Sequence, residues 1–240
     1  MPFTLQKGEK NLGSNKAFEK LTYMAQEKGD FKYIAFCDQD DVWMPEKIAT
    51  LVNEAEKSDL DLVCSDMEVI GEQGEMRCDK LNNKIWVQLG GEKYLVESVI
   101  RNYLKKENIF DTLMHFNFFS GCSMLVNTHA AFGALPFSEH EWYDYWVVLY
   151  VAGTSKKIKY FSKPLLKRRF HENNQTVKLR DDGINEKATR VNFLQDLKSI
   201  LKNKMNVIDT WLLNRVIFQF IGEFYFLKEE LGQKPVYKAD

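Results

Sequence analysis

The sequence predicts an α/β protein, a sheet flanked by helices and followed by a helical C-terminal stretch. Three observations carry this. Residues 33–37, Tyr-Ile-Ala-Phe-Cys, form a short apolar run bounded by polar residues. Ile48, Leu51, Val52 and Ala55 then recur at helical spacing. Residues 60–65 supply a second apolar run. Strand–helix–strand is the unit of a parallel sheet with a right-handed crossover.

Each element follows from local chemistry. Asn11-Leu12-Gly13 is a loop signal, and Ser14 can cap a helix with Phe18, Leu21 and Ala25 on one side. Gly29-Asp30 ends it. The continuous apolarity of 33–37 suits a central strand buried on both faces. Pro45 sits where a first helical residue belongs. Residues 67–70 extend the strand at 60–65, and Gly71-Glu72-Gln73-Gly74 reads as a turn. The spacing of Leu95, Val99 and Tyr103, with Val96 and Ile100 beside them, predicts an amphipathic helix over 92–106. Residues 118–126 read as a strand broken by Gly121. Residues 142–151 form an apolar helix carrying one charge, Asp144. Residues 157–161 and 165–170 read as short strands around Pro164. From 185 onward the pattern is helical, with Val191, Leu194, Leu197 and Leu201 in a stripe and a last helix over 207–231 that is apolar nearly all round.

The composition is that of a soluble globular chain: 240 residues, 45% hydrophobic and 28% charged. A net charge of −1 argues against nucleic acid as a partner. Aromatic content of 13%, with 17 Phe, suggests apolar surface for a partner. Cys37, Cys64, Cys78 and Cys122 form no CxxC pair, which fits reduced core cysteines of a cytoplasmic protein. The polar start of the chain does not read as a signal peptide, and no apolar run reaches the ~18 residues of a membrane span.

The chemistry concentrates at Asp38, Asp40 and Asp41. Three carboxylates in four positions repel one another unless something positive neutralises them. At the end of a buried strand in an α/β sheet, that is a ligand position. Clustered carboxylate oxygens suit Mg²⁺ or Mn²⁺, and Mg²⁺ completes its shell with water and substrate phosphate. The competing interpretation is a solvated acidic turn ahead of the helix at Pro45.

Taken together, NLGSNKAFEKL and YIAFCDQDDVWMPEKI resemble family-2 glycosyltransferases of the GT-A fold, most of all a rhamnosyltransferase-like branch with an NxGxN segment and a DQDDxWxPxK motif. Further along, GCSMLVNTHAAFGALPF, WYDYW and PLLKRRFHENNQTV resemble the acceptor-side strand and helix, the segment of the catalytic base and the closing strand. The resemblance covers about residues 9–177. It implies a Rossmann-like mixed sheet flanked by helices, with a domain over 1–177 and a helical extension over 178–240. It also implies transfer of a sugar, rhamnose being the one the branch suggests, from a nucleotide-diphosphate sugar to a saccharide or lipid-linked acceptor in cell-surface polysaccharide synthesis. The reaction is expected to be inverting and to use Mg²⁺ or Mn²⁺.

Residue by residue, the resemblance places Asn11, Gly13, Asn15, Asp38, Asp40, Asp41, Arg169 and Asn174 around the donor. Asp40 and His171 are implied at the metal, and Asp144 as the catalytic base. The aromatics Trp142, Tyr145 and Trp146 could stack on acceptor sugars, although aromatics at helical spacing more often build a core. The branch motif has His-Asp-Trp-Trp where this chain has Tyr143-Asp144-Tyr145-Trp146. The basic run Lys156, Lys157, Lys159, Lys163, Lys167, Arg168 and Arg169 reads mostly as a solvated strand face, with some members available to a diphosphate or to anionic headgroups.

Members of the family carry two β–α units ahead of this point, and the chain is expected to lack them. Three function classes follow: a glycosyltransferase shortened at the front, a catalytically impaired remnant acting as a binding module, and a D-x-D phosphatase using Asp38 as nucleophile. The phosphatase needs a further acidic pair after a strand, and Asp181-Asp182 follows none. The C-terminal helices are expected to pack on the domain, to join a homo-oligomer, or to lie on the inner face of the plasma membrane; in the last case a chain cut near Asp182 becomes more soluble.

Overall fold

The computed structural model describes residue 5 and residues 7–78, 86–89, 92–95, 109–115, 117–171, 183–202, 204–205, 213–214 and 216. Helix α1, Gly13–Lys28, ends at Gly29, whose φ of 79° lets its N–H reach Ala25 O. Its N-cap is Leu12, not Ser14, and the Asn11 side-chain oxygen accepts the Gly13 N–H at 2.9 Å. Phe18 packs edge-on against Phe36 and tilted against Tyr143. Leu21, expected on that stripe, is instead 53% exposed.

Strand β1, Tyr33–Ala35, corrects the expectation of a central strand. It lies at one end of the main sheet, half-buried, and pairs antiparallel with β7, Met124–Asn127. An apolar run alone does not separate an edge strand from a central one. The short β2, Val42–Trp43, is followed by the turn of Pro45 and Glu46 and by α2, Lys47–Lys57. The centre of the sheet is β3, Leu62–Ile70, which continues through a hairpin into β4, Met76–Cys78. The extension at 67–70 and the turn at 71–74 are as the sequence predicts.

Strands β5, Trp86–Leu89, and β6, Glu92–Leu95, form a separate antiparallel pair, so 92–95 is not the start of a helix. Gly90-Gly91 between the two runs is a hairpin signature that outweighs the helical spacing. The rest of that predicted helix, 96–106, lies outside the described residues, as do Asn174, the boundary at 177 and most of the helix over 207–231.

Helix α3, Ile109–His115, precedes a 3-10 turn at Gly121–Ser123, which leads directly into β7. Then come α4, Thr128–Gly133, and α5, Tyr143–Thr154. The two strands expected around Pro164 are one long strand, β8, Ile158–Arg169, whose pairing with β3 shifts register at Asp66 and Pro164. Helix α6, Gly183–Ile200, completes the described elements.

The main sheet runs β1-β7-β3-β8-β2, with β4 beside β3. β3 and β8 are parallel; β7 and β2 run against their neighbours. Strand period sorts the side chains into two layers. Leu62, Cys64, Met124 and Val126 join α3, α4 and α5 in the larger core. Val63, Leu125 and Leu165 face Leu51 and Ala55 of α2 on the other side. Phe193, Leu194, Leu197 and Leu201 belong to the larger core as well, with Phe193 stacked on Tyr145 at 5.4 Å. Among the described residues, no helix is long and apolar enough to cross a membrane.

Candidate active site

Asp38, Asp40 and Asp41 lie between β1 and β2, and Asp144 opens the first turn of α5. The turn at Gly121–Ser123 brings these segments together. Gly121 N–H donates to Asp144 Oδ2 at 2.9 Å, and the Asp144 Oδ1 accepts its neighbour's Tyr145 N–H at 2.7 Å. Burial pushes the Asp144 carboxyl above the ordinary carboxylate range, and these two N–H groups work in the opposite direction.

Gly121 must be glycine for a steric reason. A Cβ there would stand 2.1 Å from the Tyr143 hydroxyl. Tyr143 itself is held among Phe18, Phe36 and Phe137, so its ring has nowhere to go.

The aspartates crowd one another. Asp38 is pushed up to about 6, first by burial and then by the charges of Asp41 and Asp40, while Arg168 lowers it. Asp41 is also raised by burial, and its Oδ1 accepts the Arg169 N–H at 3.0 Å. Its other oxygen, Oδ2, is buried, faces the Cys122 thiol and has no partner at full hydrogen-bond geometry among the described residues. Arg168 acts electrostatically on Asp38, Asp41 and Asp144, lowering all three.

Ligand atoms of Asp38, Asp41 and Cys122 lie within 4.8 Å of one another. Burial holds the Cys122 thiol protonated, far above its usual range, so it is no partner for a hard cation. The two carboxylates, one with an unsatisfied buried oxygen, fit Mg²⁺ or Mn²⁺. Asp40 and His171, predicted together at the metal, are also together here: His171 Nε2 lies 2.8 Å from Asp40 Oδ2.

Other predicted residues have structural partners. Arg169 donates from Nε to Asp40 O at 3.1 Å and from Nη1 to Gly71 O at 3.2 Å and Glu72 O at 2.8 Å. It thereby pins the acidic segment to the β3–β4 hairpin. Asn15 donates to Glu141 O at 2.5 Å and accepts the Tyr143 N–H at 2.9 Å, tying α1 to the start of α5. Asn11 and Gly13 sit exposed at the start of α1. Trp142 is half-buried and caps α5. Tyr145 and Trp146 are core residues: the Tyr145 hydroxyl donates to Leu113 O at 2.5 Å and Trp146 Nε1 to Ala134 O at 2.7 Å. With both polar atoms used internally, these two rings do not present a sugar-stacking face.

The basic run is largely neutralised. Lys157 pairs with Asp59, Lys159 with Glu54 at 2.8 Å, Lys163 with Glu46 at 3.3 Å and Lys167 with Glu68 at 3.8 Å. Gly121 and Cys122, which open the GCSMLV segment, and Lys47, which closes the DQDDxWxPxK motif, were given no role at the site by sequence reasoning. The signal for Lys47 was present: a cation at the first residue of a helix opposes the helix dipole and asks for a compensating partner.

Comparison with known proteins bears on the family and the fold. No curated protein sequence matches the chain. Among solved structures, the crystal structure of S. aureus TarS 1-349 in complex with UDP-GlcNAc is similar at a TM-score of 0.50 and 11% identity. The match covers 82% of this chain and 50% of that one, so the chain spans half the length of the TarS structure. At that identity the likeness is one of fold, a GT-A-like mixed sheet flanked by helices. The sequence model described as Glycosyl transferase family 2 matches residues 2–125, and on that match this chain belongs to glycosyl transferase family 2.

Proposed function

We propose that the chain transfers a sugar from a nucleoside-diphosphate sugar to an acceptor hydroxyl, with inversion at the anomeric carbon. The observation that carries this reading is the convergence of the acidic segment and Asp144 on the Gly121–Ser123 turn. Asp38 and Asp41 would hold Mg²⁺ or Mn²⁺ beside the donor diphosphate, with the Asp40–His171 pair adjoining. When bound, the cation supplies Lewis-acid stabilisation of the departing diphosphate. Arg168 adds positive charge on the same side.

Asp144 accepts the proton of the acceptor hydroxyl as that oxygen bonds to the anomeric carbon. The bond from that carbon to the diphosphate oxygen breaks, and the electron pair leaves with the nucleoside diphosphate. The Gly121 and Tyr145 N–H groups fix the carboxylate orientation before the acceptor arrives. The motif of the acidic segment supports rhamnose as the sugar, and a saccharide or lipid-linked acceptor of a cell-surface polysaccharide. UDP-GlcNAc, the ligand of TarS, is the second donor to test.

The test is calorimetric titration of the full chain with UDP and dTDP, with and without Mn²⁺, followed by donor turnover with UDP-GlcNAc and dTDP-rhamnose. Cation-dependent binding and nucleoside-diphosphate release support the reading. Absence of binding to both nucleotides under every cation condition refutes it. Binding without release supports the second reading, a binding module.

A further inference from the structure

Lys47 has no assigned part in the chemistry above, yet it is a charged side chain that is completely buried, at 0% exposure, among the described residues. It opens α2, where the helix dipole disfavours a cation. Its Nζ donates to Cys122 O at 2.5 Å and lies 3.8 Å from the centre of the Trp43 ring. Burying an ammonium is unfavourable by several kcal/mol in general, so such a group survives only where strong partners meet it. Here those partners are a ring face, one backbone carbonyl and, at longer range, the charge of Asp41.

That carbonyl belongs to the turn that joins the site. Gly121, one residue earlier, donates its N–H to Asp144. The Cys122 side chain faces Asp41. The turn therefore touches both the base and the acidic segment, and Lys47 bonds its Cys122 carbonyl. Trp43 and Lys47 flank the turn of Pro45 and Glu46, so the acidic segment, β2 and α2 reach the Gly121–Ser123 turn through one short stretch of chain. We infer that Lys47 is a positioning residue, whose ammonium holds the Gly121–Ser123 turn so that the Gly121 N–H orients Asp144. The consequence for turnover rests on the function proposed above; the consequence for the turn does not.

The test compares the full-length wild type with Lys47→Met and Lys47→Arg. Amide hydrogen exchange is read at Gly121 and, as a core reference, at Val148 in the middle of α5. Lys47→Met is expected to speed exchange at Gly121 by about tenfold or more while Val148 stays within about threefold. Lys47→Arg, which keeps a charged donor, is expected to restore Gly121 to within about threefold of wild type. In donor turnover, Lys47→Met should lower kcat about tenfold with donor KM within about threefold, the signature of a misplaced base rather than a lost binding group. Should Lys47→Met not fold, Lys47→Gln, neutral and too short to reach the carbonyl, is read by the same criteria.

Unchanged exchange at Gly121 in the Met or Gln variant overturns the proposal. So does equal acceleration at Gly121 and Val148, which would make Lys47 a general support of the fold. A wild type that binds neither UDP nor dTDP refutes the proposed function, and leaves the exchange result to decide the role of Lys47.

Discussion

Asp144 accepts two backbone N–H groups, and a base must be ionised to take a proton. Burial raises its affinity for protons, so turnover should rise with pH through a midpoint above the ordinary aspartate value. Asp144→Asn is expected to lower kcat by about 10²–10⁴-fold while UDP or dTDP binding, measured by calorimetry, stays near wild type. Asp38 makes a prediction about stability. Its folded pKa of about 6 lies above the unfolded value, so the native state binds the extra proton between the two. Its contribution is therefore fully present below about pH 4 and lost as pH rises through 6. In cation-free buffer, Asp38→Asn should raise the melting temperature at pH 7, by an amount corresponding to about 1 kcal/mol after allowance for partial solvation, and leave it unchanged near pH 4. Added Mn²⁺ should stabilise the wild type and not the variant. The carboxylates were legible because acidic residues clustered after an apolar run have few structural uses. The roles of Lys47 and Gly121 were not, because their value lies in which distant groups they touch.

At the scale of elements, the Gly121–Ser123 turn and the start of α5 are fitted to each other. Gly121→Ala would drive a methyl into the Tyr143 hydroxyl and is expected to cost about 1–3 kcal/mol in thermal or urea unfolding. Tyr143→Phe in the same chain should recover only part of that loss, since the ring carbon beneath the hydroxyl is itself 2.6 Å from the added Cβ. Helices α1, α2 and α5 were readable because apolar positions recur along each. Strand placement was not. The sequence places 33–37 and 60–65 as neighbours, whereas β7 enters between them. Residues far apart in sequence decide strand order, and no local periodicity encodes it. The Arg169 contacts were hidden for the same reason: a motif names the residue, and only the fold shows that its guanidinium is engaged with three carbonyls.

For the molecule as a whole, the helical stretch after 183 shares the core of the sheet. Phe193 covers Tyr145 and Trp146, and Leu194, Leu197 and Leu201 are buried with it. A chain ending at Asp182 would uncover that surface. It is expected to bind a hydrophobic dye and to aggregate on size-exclusion chromatography, the reverse of the gain in solubility that a membrane-facing helix would give. The pairing of β8 lysines with acids from α2 and β3 likewise predicts weak, salt-sensitive attachment of the full chain to vesicles of anionic lipid.

The two strands that bracket the aspartates stand at opposite ends of the main sheet, β1 at one and β2 at the other. Ala35 lies beside Leu125, and Val42 beside Lys167. Were the sheet flat, those two residues would be about 25 Å apart, counting about 4.8 Å per strand and the offset along β3. The peptide between them reaches about 25 Å only when fully extended, and it contains a turn at Gln39 and Asp40. The sheet must therefore bow, at the register shifts of β3 and β8, until this peptide becomes the chord of an arc. Removing one residue from it would tighten the turn that presents the carboxylates or pull β2 from the edge of β8, and so the spacing of the acidic residues and the curvature of the sheet are coupled.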